Sequence, residues 1–299
     1  MNQSEMTAKI QQGDGFIAAL DQSGGSTPKA LAGSGIEEGA WSSDEEMFDL
    51  IHQMRSRIIT APCFGTGKVI GAILFERTMD GTVNGKPTPQ ALIDLGVVPF
   101  IKIDKGLEAE ENGVQMMKPN SGLDDLLERA RGLGVFGTKE RSVINAANMS
   151  GISVLVAQQF QVAKQVIAHG LMPIVEPEVN IKSADRAVSD DLLLTAILEE
   201  LDELPQGQQV MLKLSIPAEP GKFQPLVDHP KVLKVVALSG GFSREEACRQ
   251  LAQNPGMIAS FSRALLSDLR AQQSDEEFDR TLGTAIDEIY RASTQKVPA

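Results

Sequence analysis

The sequence predicts an α/β fold, a closed (β/α)8 TIM barrel in which eight parallel strands are each followed by a helix. Short β-rich segments alternate with amphipathic ones along the 299 residues, and no low-complexity linker divides them. The length also fits, because barrels of this type often form one domain of about 250 residues. Such alternation implies parallel strands joined by crossover helices. We therefore expect a single domain over residues 1–299 with an extra carboxyl-terminal helix.

The predicted strands are short runs rich in β-branched and aromatic residues. In chain order they cover residues 16–21, 71–75, 99–104, 135–139, 172–176, 209–214, 234–238 and 258–261. Residues 58–62 are a further candidate strand. The count of eight therefore depends on the alternation as a whole rather than on any one segment.

Helical patterns fill the intervals between these strands. They cover residues 44–59, 88–95, 123–133, 152–168, 184–204 and 244–254, and two more follow the last strand at 263–272 and 276–292. Ser43, Ser243 and Ser274 each have a glutamate three positions later, which is the pattern of a capping box. The last helix carries a continuous apolar stripe, which predicts that it packs around the barrel.

Charged residues interrupt several strands on one face only. In the strand at 209–214 one face is wholly apolar, and Lys213 lies on the other. Corresponding positions near the carboxyl ends of other strands hold Asp21, Lys102, Asp104, Lys139, Arg141 and Glu176. A single lysine in a strand usually lies at an edge with its ammonium in water. Repetition in five strands favours a functional cluster at the end where barrel enzymes build their active sites.

This set of side chains is suited to chemistry on a carbonyl compound. A lysine surrounded by other cations loses its proton more easily, and a neutral amine attacks ketones to form a Schiff base. Lys213 is the candidate nucleophile, with Lys102, Lys139 and Arg141 as the neighbouring cations. Glu176 can transfer the protons that this reaction requires, and the remaining cations suit phosphate groups.

Two late segments predict an anion site. Residues 237–243 end a strand in Ser239-Gly240-Gly241, where bare backbone amides can approach a phosphate. Arg263 begins the helix after the last strand, where its guanidinium can add charge-assisted hydrogen bonds. In barrels the loops after the seventh and eighth strands often bind phosphate. Taken alone, the two glycines are better explained by an ordinary tight turn.

Composition excludes several functional classes. The 28 basic and 40 acidic residues give a formal charge of −12, which is unsuitable for binding nucleic acid or an anionic membrane. We find no signal peptide and no apolar run long enough to span a bilayer, so we expect a cytoplasmic protein. The two cysteines form no disulfide framework. The histidines are His52, His169 and His229, which are scattered and give no metal-ligand set.

Taken together, the motifs resemble those of class I fructose-bisphosphate aldolases, most closely the shorter bacterial branch. The resemblance runs from about Phe16 to the final helix. It is carried in order by ALDQSGGSTPKAL, GAILFERTMD, FIKIDKG, FGTKERS, IVEPEVNI, MLKLSIP, LSGGFSREEA and IASFSRAL. Each motif is weak alone, but eight in order are highly specific.

The resemblance implies a catalytic role for each of four residues. Lys213 looks like the lysine that forms the Schiff base, and Glu176 like the general acid and base of imine formation, with Glu178 supporting the charge network. Asp21 resembles the aspartate that takes the hydroxyl proton as the carbon–carbon bond breaks. Lys139 resembles the lysine beside that bond, which also keeps the nucleophile deprotonated. The implied reaction is metal-independent, reversible cleavage of fructose 1,6-bisphosphate without any cofactor.

The same resemblance implies the substrate-binding residues. Arg141 accompanies Lys139, while Lys102, Ser23 and Ser26 match positions near the 6-phosphate. The positions that hold the 1-phosphate are matched by Ser239, Gly240 and Arg263. The implied partner is thus a sugar phosphate, and no nucleic acid or membrane is expected as a partner. Assembly into a homo-oligomer is left open.

Three departures from the longer animal aldolases leave one step unassigned. This chain stops at Ala299 without the tail tyrosine that those relatives link to enamine proton exchange, and Gln22 and Phe261 replace a glutamate and a tyrosine.

Two alternative functions also stay open. One is another imine-forming barrel lyase, acting on a seven-carbon bisphosphate or on deoxyribose phosphate. The other is a catalytically silent barrel that binds sugar phosphates.

Overall fold

A computed structural model describes residues 1–22 and 27–298. Eight parallel strands follow one another in a single sheet. They are β1 (Phe16–Leu20), β2 (Val69–Leu74), β3 (Val98–Lys102), β4 (Gly137–Ile144), β5 (Met172–Val179), β6 (Val210–Ser215), β7 (Val232–Leu238) and β8 (Ile258–Ala259). The sheet closes where the amide of Ala19 donates to the carbonyl of Phe261 at 3.1 Å. The predicted (β/α)8 barrel is confirmed.

Helices surround the barrel and connect its strands. They are α1 (Gln3–Gln12), α2 (Thr27–Gly33), α3 (Asp44–Thr60), α4 (Glu76–Asp80), α5 (Thr88–Asp94), α6 (Leu123–Gly132), α7 (Met149–Ala168), α8 (Arg186–Glu203), α9 (Gln224–Val227), α10 (Arg244–Ala252), α11 (Arg263–Leu266) and α12 (Asp275–Thr294). Short 3-10 turns occupy Glu38–Ala40 and Pro62–Gly65. Thr82–Val83 and Lys86–Pro87 form a small antiparallel hairpin, and Val114–Gln115 pairs antiparallel with β4.

Several predicted boundaries need correction. Residues 58–60 belong to α3, and a 3-10 turn starts at Pro62, so the alternative strand at 58–62 was wrong. The helix predicted at 263–272 ends at Leu266, and in the irregular segment that follows the carbonyls of Ala271 and Gln273 accept hydrogen bonds from Arg57 of α3. The strand predicted at 135–139 begins at Gly137 and extends to Ile144, through pairing with β5 along its whole length.

Serine caps begin α3, α10 and α12 as predicted, although they differ in detail. The hydroxyls of Ser43, Ser243 and Ser274 each accept the amide three residues on. Only Ser274 forms a complete capping box, in which the Glu277 carboxylate also accepts the Ser274 amide. At Ser43 the corresponding Glu46 instead accepts from Ser42.

Two apolar layers follow from the alternation of side chains along the strands. The inner layer fills the barrel and includes Ile17, Phe100, Ile174 and Met211. The outer layer lies between strands and helices and includes Val210, Leu212 and Leu214. Met6 and Ile10 of α1 join the inner layer, so this helix closes the amino-terminal end of the barrel. Polar side chains are therefore free to converge at the carboxyl-terminal end.

Asp190 of α8 fixes the loop that follows β6. Its side chain is fully buried, and Oδ2 accepts the amide of Ala218 at 2.8 Å. Burial raises the pKa of this carboxyl to about 6, although the Ala218 amide and the charge of Arg186 act in the opposite direction. Because the pKa is higher in the folded than in the unfolded chain, ionisation of Asp190 at neutral pH destabilises the fold.

Replacing Asp190 with asparagine is therefore expected to stabilise the protein at pH 8. The wild-type carboxyl stabilises the fold fully below about pH 4 and loses that contribution as the pH rises through about 6. Asparagine keeps an oxygen for the Ala218 amide and cannot ionise, so the gain at pH 8 is at most about 2–3 kcal/mol. Urea unfolding at pH 4 and pH 8 measures it. The control is Asp191→Asn, which changes an exposed neighbour paired with Lys222; an equal gain at both pH values would contradict the account.

Candidate active site

A cavity of about 410 Å³ opens at the carboxyl-terminal end of the barrel. Every site residue predicted from the sequence that lies within the described part lines this cavity, namely Asp21, Lys102, Lys139, Arg141, Glu176, Lys213, Ser239, Gly240 and Arg263. Ser23 and Ser26 lie outside the described residues. Loops and strand ends from most of the barrel thus contribute polar groups to one space.

Lys139 of β4 lies at the centre of the charged groups. Its Nζ is 2.6 Å from Asp21 Oδ2, 3.0 Å from Glu176 Oε2 and 3.9 Å from Asp104 Oδ2. The side chain is almost completely buried, with a relative exposure of 2%. A buried ammonium is stable only when carboxylates compensate for the lost hydration. Here they come from the ends of β1 and β5 and from the segment after β3.

The charges in this cluster hold each other ionised. Burial by itself would raise the pKa of Asp21, but the positive charge of Lys139 and its hydrogen bond outweigh that effect, and the pKa lies well below its ordinary value. For Lys139, burial lowers the pKa, and the carboxylates led by Asp21 and Glu176 raise it by more. Asp21 is therefore an anion and Lys139 a cation throughout the neutral range.

Lys213 of β6 faces Glu176 across the cavity floor. Its Nζ lies 3.0 Å from Glu176 Oε1, and the lysine side chain is nearly buried. Glu176 therefore contacts two lysines, one through each carboxylate oxygen. An amine held within hydrogen-bond reach of a carboxylate can exchange protons with it, which is the arrangement that nucleophilic catalysis by lysine requires.

The other two predicted cations have carboxylate partners of their own. Lys102 Nζ lies 2.6 Å from Asp104 Oδ1, and Arg141 pairs with Glu178 through its Nε. The expectation that these cations and Lys139 all converge on Lys213 is thus incomplete. Each is neutralised locally by an acidic residue, and Glu176 lies between Lys139 and Lys213.

The glycine turn after β7 and the start of α11 line the cavity on the side of β7 and β8. Gly240 has a φ of +59°, and a Cβ there would lie 2.6 Å from Ile181 Cγ2. Ser239 is buried, and both residues line the cavity with Arg263. Close packing against Ile181 therefore accounts for a residue without a side chain at this position.

The family model for class I fructose-bisphosphate aldolases matches residues 3–204 of this sequence. The chain belongs to the class I fructose-bisphosphate aldolase family. Among solved structures, fructose-bisphosphate aldolase from Plasmodium falciparum, in complex with TRAP and a small-molecule inhibitor, matches with a TM-score of 0.80 and 21% identity, over 99% of this chain and 96% of the other. A Corynebacterium glutamicum protein matches with a TM-score of 0.56 and 14% identity, over 97% and 92% of the two chains. These two likenesses show the barrel fold.

Some features of this aldolase-family site were missed from the sequence. Asp104 lies between Lys102 and Lys139, and no role for it was predicted. The Gln22 side-chain amide donates to the Ser262 hydroxyl, which joins the segments after β1 and β8. The alternation of strand residues placed Asp104 on the correct face, but nothing in the sequence indicated which cations it contacts.

Two further findings concern the described residues of this family member. They contain no group of three or more His, Cys, Asp or Glu side chains arranged to hold a metal ion. No helix among them combines the length and apolar character needed to cross a membrane.

Lys139→Met is expected to raise the pKa of Asp21 by more than about one unit, because it removes the nearest cation while burial remains. Carboxyl NMR of labelled aspartate, assigned with Asp21→Asn, measures the shift. Because the pKa of Asp21 is lower in the folded than in the unfolded wild-type chain, the ionised carboxylate stabilises the fold above about pH 4, and this stabilisation is lost as the pH falls. The variant lacks much of this stabilisation and should therefore unfold at a higher pH during acid titration. Lys102→Met is the control and should shift the pKa less; an unchanged Asp21 pKa in Lys139→Met would refute the assignment.

Gly240→Ala is expected to destabilise the protein more than Gly207→Ala. Both glycines have positive φ, +59° and +84°, but a Cβ at Gly207 would contact nothing within 4 Å. In both variants alanine must adopt a positive φ, which costs about 1–2 kcal/mol. Only Gly240→Ala also overpacks against Ile181, which costs a further amount of about 1–3 kcal/mol. Denaturant unfolding of both variants, and of Gly240→Ala combined with Ile181→Ala, isolates the second contribution. Equal losses in the two single variants would mean that Ile181 does not constrain the turn.

Proposed function

We propose that this family member cleaves fructose 1,6-bisphosphate reversibly to dihydroxyacetone phosphate and glyceraldehyde 3-phosphate through a Schiff base on Lys213. The observation that carries the proposal is the position of Glu176, which lies 3.0 Å from the Nζ atoms of both Lys213 and Lys139. A binding protein without catalytic activity gains nothing from a carboxylate held between two buried amines, because burying these charges costs free energy.

Imine formation needs proton transfers that Glu176 is placed to make. The neutral amine of Lys213 attacks the ketone carbon C2 and forms a carbinolamine. Glu176 first takes a proton from the Lys213 ammonium, which frees the amine; a second amine proton moves to the C2 oxygen as the carbinolamine forms. Glu176 then donates its proton to the C2 hydroxyl, which leaves as water. The product is a protonated imine, a stronger electron sink than the original ketone.

Asp21 is the proposed base for carbon–carbon cleavage. It removes the proton of the C4 hydroxyl, the C3–C4 bond breaks, and its electron pair moves to the imine to give an enamine. Glyceraldehyde 3-phosphate leaves first, and protonation at C3 followed by hydrolysis releases dihydroxyacetone phosphate. The ammonium of Lys139, 2.6 Å from Asp21, keeps this base ionised and oriented. In this proposal side chains supply the nucleophile, the proton transfers of imine formation and the base for cleavage, without a metal ion or organic cofactor, and the group that protonates the enamine stays unassigned.

The distribution of cations supports a substrate with two phosphates. Lys102 ends β3, whereas Ser239, Gly240 and Arg263 follow β7 and β8 across the barrel. We assign the former to the 6-phosphate, with Arg141 nearby, and the latter to the 1-phosphate. In this proposal the enzyme is a single cytoplasmic barrel domain.

Borohydride trapping tests the proposed function. Treatment with sodium borohydride in the presence of fructose 1,6-bisphosphate should add a reduced substrate adduct to Lys213, detected by intact mass and peptide mapping. Lys213→Met should give no adduct and lose cleavage by at least about 10³-fold. Glu176→Gln should slow both adduct formation and cleavage by about 10²–10⁴-fold.

The alternatives give different results in the same experiment. Trapping and cleavage of a sugar monophosphate in preference to the bisphosphate would indicate another imine-forming lyase. Sugar-phosphate binding without adduct or turnover would indicate a catalytically silent barrel. Lys234→Met is a suitable control, because Lys234 lies in β7 but outside the cavity, and it should leave trapping on Lys213 intact.

A further inference from the structure

Arg55 is a buried cation that the proposed mechanism does not use. It belongs to the face of α3 that packs against the barrel, together with Met54 and Ile58, and its relative exposure is 2%. Its guanidinium lies 5.9 Å from the centroid of the Phe75 ring. A guanidinium in such a position loses most of its hydration, so its retention needs an explanation beyond helix packing.

Its hydrogen-bond partners are neutral oxygen atoms. Nη1 donates to the Thr78 hydroxyl at 2.8 Å, and Nη2 donates to the backbone carbonyl of Gln22. Among the described residues no carboxylate lies within 4.0 Å of it. Burial lowers the pKa of Arg55 to about 10, and the negative charge of Asp21 acts against this shift. Arg55 is thus a cation at neutral pH, and Asp21 is the anion whose field it experiences.

The carbonyl that Arg55 holds belongs to the residue next to Asp21. Gln22 is fixed twice, since Arg55 binds its carbonyl and Ser262 accepts its side-chain amide. Asp21 itself is fixed from the cavity side by Lys139. The segment after β1 is therefore held by Arg55 of α3 at the Gln22 carbonyl and by Lys139 of β4 at the Asp21 carboxylate.

We propose that Arg55 is a positioning residue for carbon–carbon cleavage, acting through Asp21 by fixing the Gln22 carbonyl and by adding positive charge behind the carboxylate. The inference rests on the proposed role of Asp21 as the base. A displacement of about 1 Å at a reacting group can cost about 10²-fold in rate. Loss of Arg55 should therefore slow the step that uses Asp21 and spare the step that does not.

The two steps can be measured separately. Cleavage of fructose 1,6-bisphosphate needs both Lys213 and Asp21, whereas borohydride trapping of Lys213 with dihydroxyacetone phosphate needs only imine formation. Arg55→Met should lower the kcat of cleavage by about 10–100-fold, while its trapping rate stays within about two-fold of wild type. Arg55→Lys, which keeps the charge, should recover part of the loss. Thr78→Val, which removes one acceptor and leaves the Gln22 contact, should cause a smaller loss.

Arg57→Met is the matched control on the same helix. Arg57 lies over the Phe278 ring at 4.3 Å and donates to carbonyls in the segment before α12, away from the cavity. Its loss removes a similar number of hydrogen bonds. The ratio of cleavage to trapping should then stay at the wild-type value, even if the melting temperature falls.

A double-mutant cycle gives the decisive result. In an Asp21→Asn background, which abolishes the proposed base, adding Arg55→Met should lower cleavage by less than about two-fold, because the two effects are coupled. Additive effects, or equal losses of trapping and cleavage in Arg55→Met, would overturn the inference. A wild-type protein that shows neither trapping nor cleavage would instead overturn the proposed function, so the two failures are distinguishable.

Discussion

The carboxyl-terminal end of this barrel depends on the neutralisation of one buried ammonium group, that of Lys139. The carboxylates around it come from β5 and from the segments after β1 and β3, and each of these side chains would be unstable as an isolated charge in the interior. Removing the cation would leave Asp21 and Glu176 repelling each other at low dielectric. The same cluster brings the proposed base and the proposed proton-transfer group within 3.0 Å of one cation.

The barrel makes this cluster possible by separating apolar and polar groups along its axis. Helix α1 and the inner apolar layer fill the amino-terminal half, and the cavity lined by the site residues opens at the other end. Strand alternation then presents every second side chain to the lumen. On β6 the same rule that directs Leu212 and Leu214 towards the helices directs Lys213 towards Glu176.

Sequence alone was informative where periodicity determines the structure. The eight strands and the inward direction of Lys213 followed from alternation, and the serine caps followed from local hydrogen-bond chemistry. Sequence alone did not predict the features that depend on contacts between distant segments of the chain. The sequence around Met6 and Ile10 has too few apolar residues to indicate that α1 closes the barrel. Arg55 lies in an amphipathic helix where arginine is normally solvated, so only the tertiary fold revealed its burial. The pairing of Asp104 likewise depended on which strands became neighbours.

Closure of the barrel between β1 and β8 has a consequence for how the protein is made. Asp21 leaves the ribosome more than 200 residues before β8, the strand that flanks β1 on its open side, and before Phe261, whose carbonyl accepts the Ala19 amide. Until that last segment emerges, the nascent chain has an open sheet with an unpaired edge. We therefore expect the lysine, the glutamate and the aspartate of the site to come together only after β8 has been synthesised.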